Sequence, residues 1–149
     1  PHPGLLANRV VFYTGKPHHS GLTNWEAYRR FIEGDGQTRR ALAEIRDIAR
    51  DMALALPTDP AAVAALLERE GRARMQVSPA VETDAMRAVR DRGRRDGWYA
   101  GMKPCGAGGG GCCLLVVREG HREAAEAALR EMGLPPMDLR VSPKGLHRL

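Results

Sequence analysis

The sequence predicts an α+β fold: a ferredoxin-like, split βαβ antiparallel sheet with additional inserted helices. Three observations carry this. Once three inserted helical segments are set aside, the remaining segments follow the order β-α-β-β-α-β. Six residues, Gly106 to Gly111, contain five glycines and join two strand-like stretches. The second stretch, Cys113-Leu114-Leu115-Val116-Val117, is apolar without interruption, the pattern of a central strand buried on both faces.

Each element has its own signal. Arg9-Val10-Val11-Phe12-Tyr13-Thr14 is β-branched and aromatic, and Gly15 stops it. The polar turn Lys16-Pro17-His18-His19-Ser20-Gly21 follows. Thr23 with Glu26 fits a capping box, and Trp25, Tyr28, Phe31 and Ile32 recur at helical spacing, with Trp25 expected in the core. Gly34-Asp35-Gly36 interrupts or bends that helix. Leu42, Ile45, Ile48, Ala49, Met52, Ala53 and Leu56 form one face of the next helix, which Pro57 ends. Asp59-Pro60 is a helix start, with Pro at the first helical position. Val63, Leu66 and Leu67 are that helix's apolar residues. Ser78-Pro79 repeats the start signal, Met86 and Val89 give the next apolar face, and Gly97 closes it.

Trp98 to Lys103 reads as the strand before the glycine run. Beyond Val117, Gly120 precedes a helix with Ala124, Ala125, Ala128, Leu129 and Met132 on one side, ended by Gly133. Pro135-Pro136 reads as a linker and Leu139-Arg140-Val141 as a last short strand. Helices are expected on one face of the sheet.

Composition narrows the function. A chain of 149 residues suits a single domain, 1–149. Its net charge is +5, carried mostly by Arg, but the Arg residues alternate with Asp and Glu along helical stretches, as solvated helix faces do. No basic stripe is interleaved with aromatics, so nucleic acid is an unlikely partner. No apolar run reaches the roughly 20 residues of a membrane-spanning helix, and no signal peptide is read at the start. A cytoplasmic setting is expected. Three cysteines, Cys105, Cys112 and Cys113, do not make a disulfide framework, and their spacing is not a zinc pattern. Cys112 and Cys113 read as small buried hydrophobes.

The glycine run needs a cause, because each glycine loses extra backbone entropy on folding. Convergent backbone N–H groups could hold a phosphate. Close packing against a second backbone or a ligand would serve, and so would a mobile flap. No Gly-Lys-Ser/Thr follows and the next element is a strand, so the loop is neither a Walker loop nor a Rossmann fingerprint.

Gly101-Met102-Lys103-Pro104-Cys105-Gly106-Ala107-Gly108-Gly109-Gly110-Gly111-Cys112 resembles the third motif of the GHMP kinases, the family of galactokinase, homoserine kinase, mevalonate kinase and heptose-phosphate kinases. Tyr13-Thr14-Gly15-Lys16, Ser20-Gly21 and Asn24-Trp25-Glu26 are similar to the start of the C-terminal half of sugar kinases of the heptose-phosphate type. Asp138-Leu139-Arg140-Val141 with Gly145-Leu146 is similar to their final strand. The resemblance implies a GHMP kinase C-terminal domain, the substrate side of a kinase that uses ATP and Mg2+ to phosphorylate a hydroxyl of a sugar or sugar phosphate. The family's Pro-x-x-x-Gly-Leu-Gly-Ser-Ser-Ala motif is absent. An N-terminal ATP-binding domain is therefore the expected partner, and the chain alone is expected to be inactive and to bind ATP weakly.

By resemblance, Gly106, Ala107, Gly108, Gly109, Gly110 and Gly111 line a phosphate and substrate cleft, and Lys103 could bring a cation to it. His19, Ser20, Asn24 and Asp35 are the candidate substrate contacts, because a polar turn opening a helix attracts anions. No catalytic residue and no metal ligand is assigned. The alternative is a non-catalytic ferredoxin-like module that binds a small anionic metabolite or pairs with itself. With a domain missing, apolar surface should lack its cover, and two chains pairing as a homodimer would hide it.

Overall fold

The computed structural model describes residues 7–17, 20–56 and 59–138. Its elements in chain order are β1 (Arg9–Tyr13), α1 (Ser20–Ile32), α2 (Gly36–Ala55), α3 (Pro60–Val77), a 3-10 turn at Pro79–Val81, α4 (Asp84–Arg95), β2 (Tyr99–Pro104), β3 (Cys112–Val117), α5 (Arg122–Glu131) and β4 (Pro136–Met137). The strands form one antiparallel sheet in the order β2-β3-β1-β4. With α1, α2 and α3 set aside, this is the ferredoxin-like arrangement.

The apolar run of β3 is divided between two cores. Cys113, Leu115 and Val117 face one side, with Val10 and Phe12 of β1, Met86 and Val89 of α4, and Ala125, Ala128 and Leu129 of α5. Leu114 and Val116 face the other, with Val63, Ala64 and Leu67 of α3 and Met52 of α2. Alternate side chains of a strand point to opposite faces, so an unbroken apolar run requires cover on both. Helices were expected on one face only. The inserted helices cover β2 and β3 on the second.

Helix α3 lies unusually close to β2. A Cβ on Gly101 would sit 2.4 Å from the carbonyl oxygen of Ala64, and one on Gly71 would sit 2.9 Å from that of Met102. Glycine on both elements lets the two backbones touch. The contact is reinforced by Glu68 of α3, whose carboxylate accepts from Tyr99 Oη, from Arg94 Nη2 at 2.9 Å and from Arg72 Nη2 at 3.2 Å. Burial, then the Glu68 contact, pushes the Tyr99 phenol well above its usual range.

Four expectations change. Helix α1 begins at Ser20, so Thr23 lies within it and does not cap it. Trp25 is 67% exposed and not a core residue; Tyr28 and Ile32 beside it are exposed too. Helix α4 is capped by Thr83, whose Oγ1 accepts from the Met86 amide at 3.2 Å, whereas Ser78 opens only the 3-10 turn. Pro136, read as linker, lies in β4 and pairs with Phe12. Pro tolerates this place because β4 is an edge strand. The stretch Leu139–Val141 lies outside the described residues. Of the cysteines, Cys113 is buried, Cys112 half-buried and Cys105 exposed, and all three are free thiols.

Candidate functional site

The β2–β3 hairpin places Cys105–Gly111 at one end of the sheet, where the chain after β1 and the 3-10 turn also arrive. The loop is tied to both. The Gly111 amide donates to Lys16 O at 2.8 Å, and Thr14 donates to Gly111 O through its amide and its hydroxyl, each at 2.9 Å. The Gly109 amide donates to Val81 O at 2.8 Å. Glu82, next in sequence, pairs with Arg90 and with Arg87 of α4, which anchors the turn that receives the loop.

These contacts explain two of the glycines directly. A Cβ on Gly108 would come 2.7 Å from a Val81 methyl, and one on Gly110 would come 2.7 Å from the carbonyl oxygens of both Lys16 and Pro17. Gly110 also holds a φ of 152°. Close packing, one of the three reasons weighed for the run, accounts for both positions. The amides of Gly109 and Gly111 are committed to protein carbonyls and do not face a ligand. Fewer loop amides are therefore left for an anion than the glycine count suggests. Among the described residues the Ala107 amide has no protein acceptor.

Ala107 lines a cleft of about 220 Å³ between the loop and the inserted helices, with Asn24 and Tyr28 of α1, Ile45 of α2, Arg74 of α3 and Ser78. Arg74 is the polar arm of this cleft. Its Nη1 donates to Gly106 O at 2.5 Å, and its Nε donates to Glu70 Oε1 at 2.6 Å. Ser78 Oγ is buried, with no hydrogen-bond partner among the described residues.

The structure thus brings Asn24 and the loop together. Lys103 goes elsewhere: its Nζ pairs with Glu70 Oε1 at 3.1 Å, and it lines a separate cavity of about 320 Å³ with Arg9, Ile48, Met52, Glu70 and Leu114. Lys103, expected to bring a cation to the glycine-loop cleft, does not line this one; its ammonium pairs with the Glu70 carboxylate that Arg74 also holds. Asp35 is the N-cap of α2. It accepts from the Thr38 amide at 3.0 Å and from the Thr38 hydroxyl at 2.5 Å, and pairs with Arg30 at 3.6 Å. Arg30 in turn donates to Val77 O at 3.2 Å, which ties α1 to the end of α3. Ser20 opens α1, and His19 lies outside the described residues. Arg74, Tyr28 and Ser78 were not read as site residues. The only sequence signal for Arg74 was its i,i+4 spacing from Glu70, which many solvated helices share.

The Thr38 hydrogen bonds hold the Asp35 carboxyl below the usual Asp range. A depressed carboxyl contributes stability above its unfolded pKa, and that contribution is lost as pH falls through the folded value. Asp35→Ala should therefore lower the urea midpoint at pH 7. The gap from the parent chain should close in unfolding curves taken on the acid side of the folded Asp35 pKa.

Fold and site together define a class: a ferredoxin-like domain with a packed glycine loop beside a small cleft. The family described as GHMP kinases C terminal matches residues 38–134, more than half of the chain, and the chain belongs to that family. Among curated protein sequences none matches. Solved structures share the fold. The Lin0012 protein from Listeria innocua superposes with a TM-score of 0.77 at 18% identity, covering 87% of this chain and 38% of its own. The L. major mevalonate kinase in complex with R-mevalonate gives 0.72 at 19%, covering 83% and 37%. The Lactococcus lactis galactokinase complexed with galactose gives 0.62 at 15%, covering 87% and 43%. The chain spans less than half the length of each of these proteins.

Proposed function

We propose that this chain is the substrate-side domain of a GHMP-type kinase that transfers the γ-phosphoryl group of ATP to a hydroxyl of a sugar or sugar phosphate. The observation that carries it is the cleft in which Asn24, Tyr28 and Arg74 meet Ala107 of the glycine loop. In this reading the chain positions the acceptor. Asn24 and Tyr28 offer hydrogen bonds to hydroxyls, the apolar wall excludes water, and the anchored loop fixes the end of the cleft.

ATP and Mg2+ belong to the complete kinase. Among the described residues no group of three His, Cys, Asp or Glu is placed to hold a metal ion. Nucleotide and metal contacts are assigned to the expected N-terminal domain, and the chain alone is proposed to be inactive. Among the described residues no helix is long and apolar enough to cross a membrane.

Mixing or fusing the chain with its N-terminal half should restore ATP consumption in the presence of a sugar or sugar phosphate. Asn24→Ala in that assembly should raise KM for the acceptor more than it lowers kcat. Absence of turnover by a verified full-length protein across a panel of sugars and sugar phosphates would sink the proposal.

One observation favours the binding or pairing alternative for the chain by itself. Tyr13, Trp25, Tyr28, Ile32, Leu54 and Met137 leave large apolar surface uncovered. Sedimentation of the chain alone separates the cases: a concentration-dependent dimer supports pairing, and a monomer leaves the surface to the expected N-terminal domain.

A further inference from the structure

We propose that Arg74 is the anion-binding arm of the glycine-loop cleft, and that the ligand it serves carries a phosphate ester. This rests on the cleft being the acceptor site, and it adds the chemical group the acceptor presents there.

The argument starts from the donor inventory of the guanidinium. Arginine has five N–H donors in a planar fork. Arg74 uses one on Glu70 Oε1 and one on Gly106 O. Among the described residues the other three have no acceptor, although the side chain is only 29% exposed. A partly buried cation with spare donors favours an anion, because charge-assisted hydrogen bonds to phosphate are stronger than neutral ones. The two bonds already made fix the plane of the fork, so little rotamer entropy remains to be lost on binding.

The local charge agrees. Glu70 is a single carboxylate shared by Arg74 and Lys103, so the trio carries net positive charge. Glu70 and Lys103 line the other cavity, and Arg74 alone of the three lines this one. Two neutral groups complete the setting: the Ala107 amide, which has no acceptor among the described residues, and the buried, unpartnered Ser78 hydroxyl. A guanidinium, an amide and a hydroxyl around a small cleft match the three terminal oxygens of a phosphoryl group. The anchor to Gly106 O also couples binding to the loop, because the side chain that would meet the anion holds the loop's first glycine.

The test is a 1H–15N NMR titration of the full 149-residue chain at low salt with inorganic phosphate, then glucose 6-phosphate, ADP and neutral glucose. Phosphate should shift the Ala107 amide and the Arg74 Nε resonance. Glucose 6-phosphate should do so at lower concentration than inorganic phosphate if a sugar phosphate is the source. ADP should do so if a nucleotide is. Neutral glucose should leave Arg74 Nε unmoved. Arg74→Gln should weaken phosphate binding about tenfold or more. Arg74→Lys, which keeps the charge without the fork, should recover part of that loss. Lys103→Ala, which leaves Glu70 to Arg74 alone and removes the trio's net positive charge, should weaken binding less than Arg74→Gln, because Lys103 does not line the cleft. The dispersion of each variant's spectrum reports whether it is folded, and Arg74→Lys supplies the comparison if Arg74→Gln is not. Parental affinity in Arg74→Gln, a loss in Lys103→Ala equal to that in Arg74→Gln, or shifts confined to residues away from the loop would overturn the inference. Failure of the kinase proposal would show as absent turnover with phosphate binding intact. Failure of this inference would leave turnover intact on acceptors that carry no phosphate.

Discussion

Replacing Gly110 with alanine is expected to lower the stability of the chain by roughly 2–5 kcal/mol, from backbone strain and overpacking together. Gly110 holds a φ of 152°, which side-chain-bearing residues rarely adopt. The new Cβ would stand 2.7 Å from two carbonyl oxygens, those of Lys16 and Pro17. Both belong to backbone and cannot swing aside as a side-chain tip could. The loop must then lift, and the bonds from Gly111 N to Lys16 O and from Thr14 to Gly111 O go with it. Urea unfolding measures the loss, and hydrogen exchange at the Gly111 amide reports the broken anchor. Unchanged stability with a still-protected Gly111 amide would show that the loop does not pack as described. Gly106, whose added Cβ meets nothing within 4 Å, supplies the control. Its φ of 78° still costs strain, but no backbone contact is broken.

Trp98→Ala is expected to cost about 3–5 kcal/mol, the range for emptying a large aromatic site. The ring is 1% exposed and lies in the core between the sheet and α4. Its seat is made by Gly93: a Cβ there would fall 2.4 Å from the ring. The hole left by alanine would loosen α4 against β2, and with it Arg90, which pairs with Glu82 beside the loop-bearing turn. Trp98→Phe should cost distinctly less, because the indole Nε1–H has no partner among the described residues and its removal strands no acceptor. Denaturant midpoints of the two variants check the order, and a Trp98→Ala variant as stable as Trp98→Phe would contradict the packing.

The two results would test different halves of one arrangement. Trp98 and Gly93 hold α4 to the sheet. Glu82 and Val81, just before α4, hold the glycine loop. The route from core to cleft is short, so damage to the core should also blunt the response of the Ala107 amide to phosphate.

Much of the fold was legible in the residues because its signals are local. The apolar run of β3 predicted burial on both faces, and the sheet order supplies it. Asp59-Pro60 predicted the start of α3, and Asp59 accepts from the Ala62 amide at 2.9 Å. The misplaced elements failed for local reasons too. Thr23 and Glu26 satisfy the spacing of a capping box, yet the helix had begun at Ser20. Ser78-Pro79 satisfies a helix start, yet Thr83 outcompeted it as the cap of α4. Trp25 at helical spacing looks like core, yet periodicity says only that apolar residues share a face. It does not say whether anything covers that face, and in α1 Trp25, Tyr28 and Ile32 stay exposed.

The site divides along the same line. From sequence alone came the glycine loop, its place between two strands and its family. Glycine content, strand pattern and motif spacing are properties of contiguous residues, so they survive without coordinates. Tertiary structure alone decided which cation meets the loop. Lys103 is adjacent in sequence but turns to Glu70, while Arg74, more than thirty residues away from Gly106, reaches its carbonyl. Lys103 on β2 and Arg74 on α3 share the Glu70 carboxylate, and Arg74 extends past it to the Gly106 carbonyl. The glycine-to-backbone contact of α3 with β2 sets Arg74 within reach of the loop. A chain can announce that a loop will hold something, but the groups that face the ligand are chosen by elements that meet only when the fold closes.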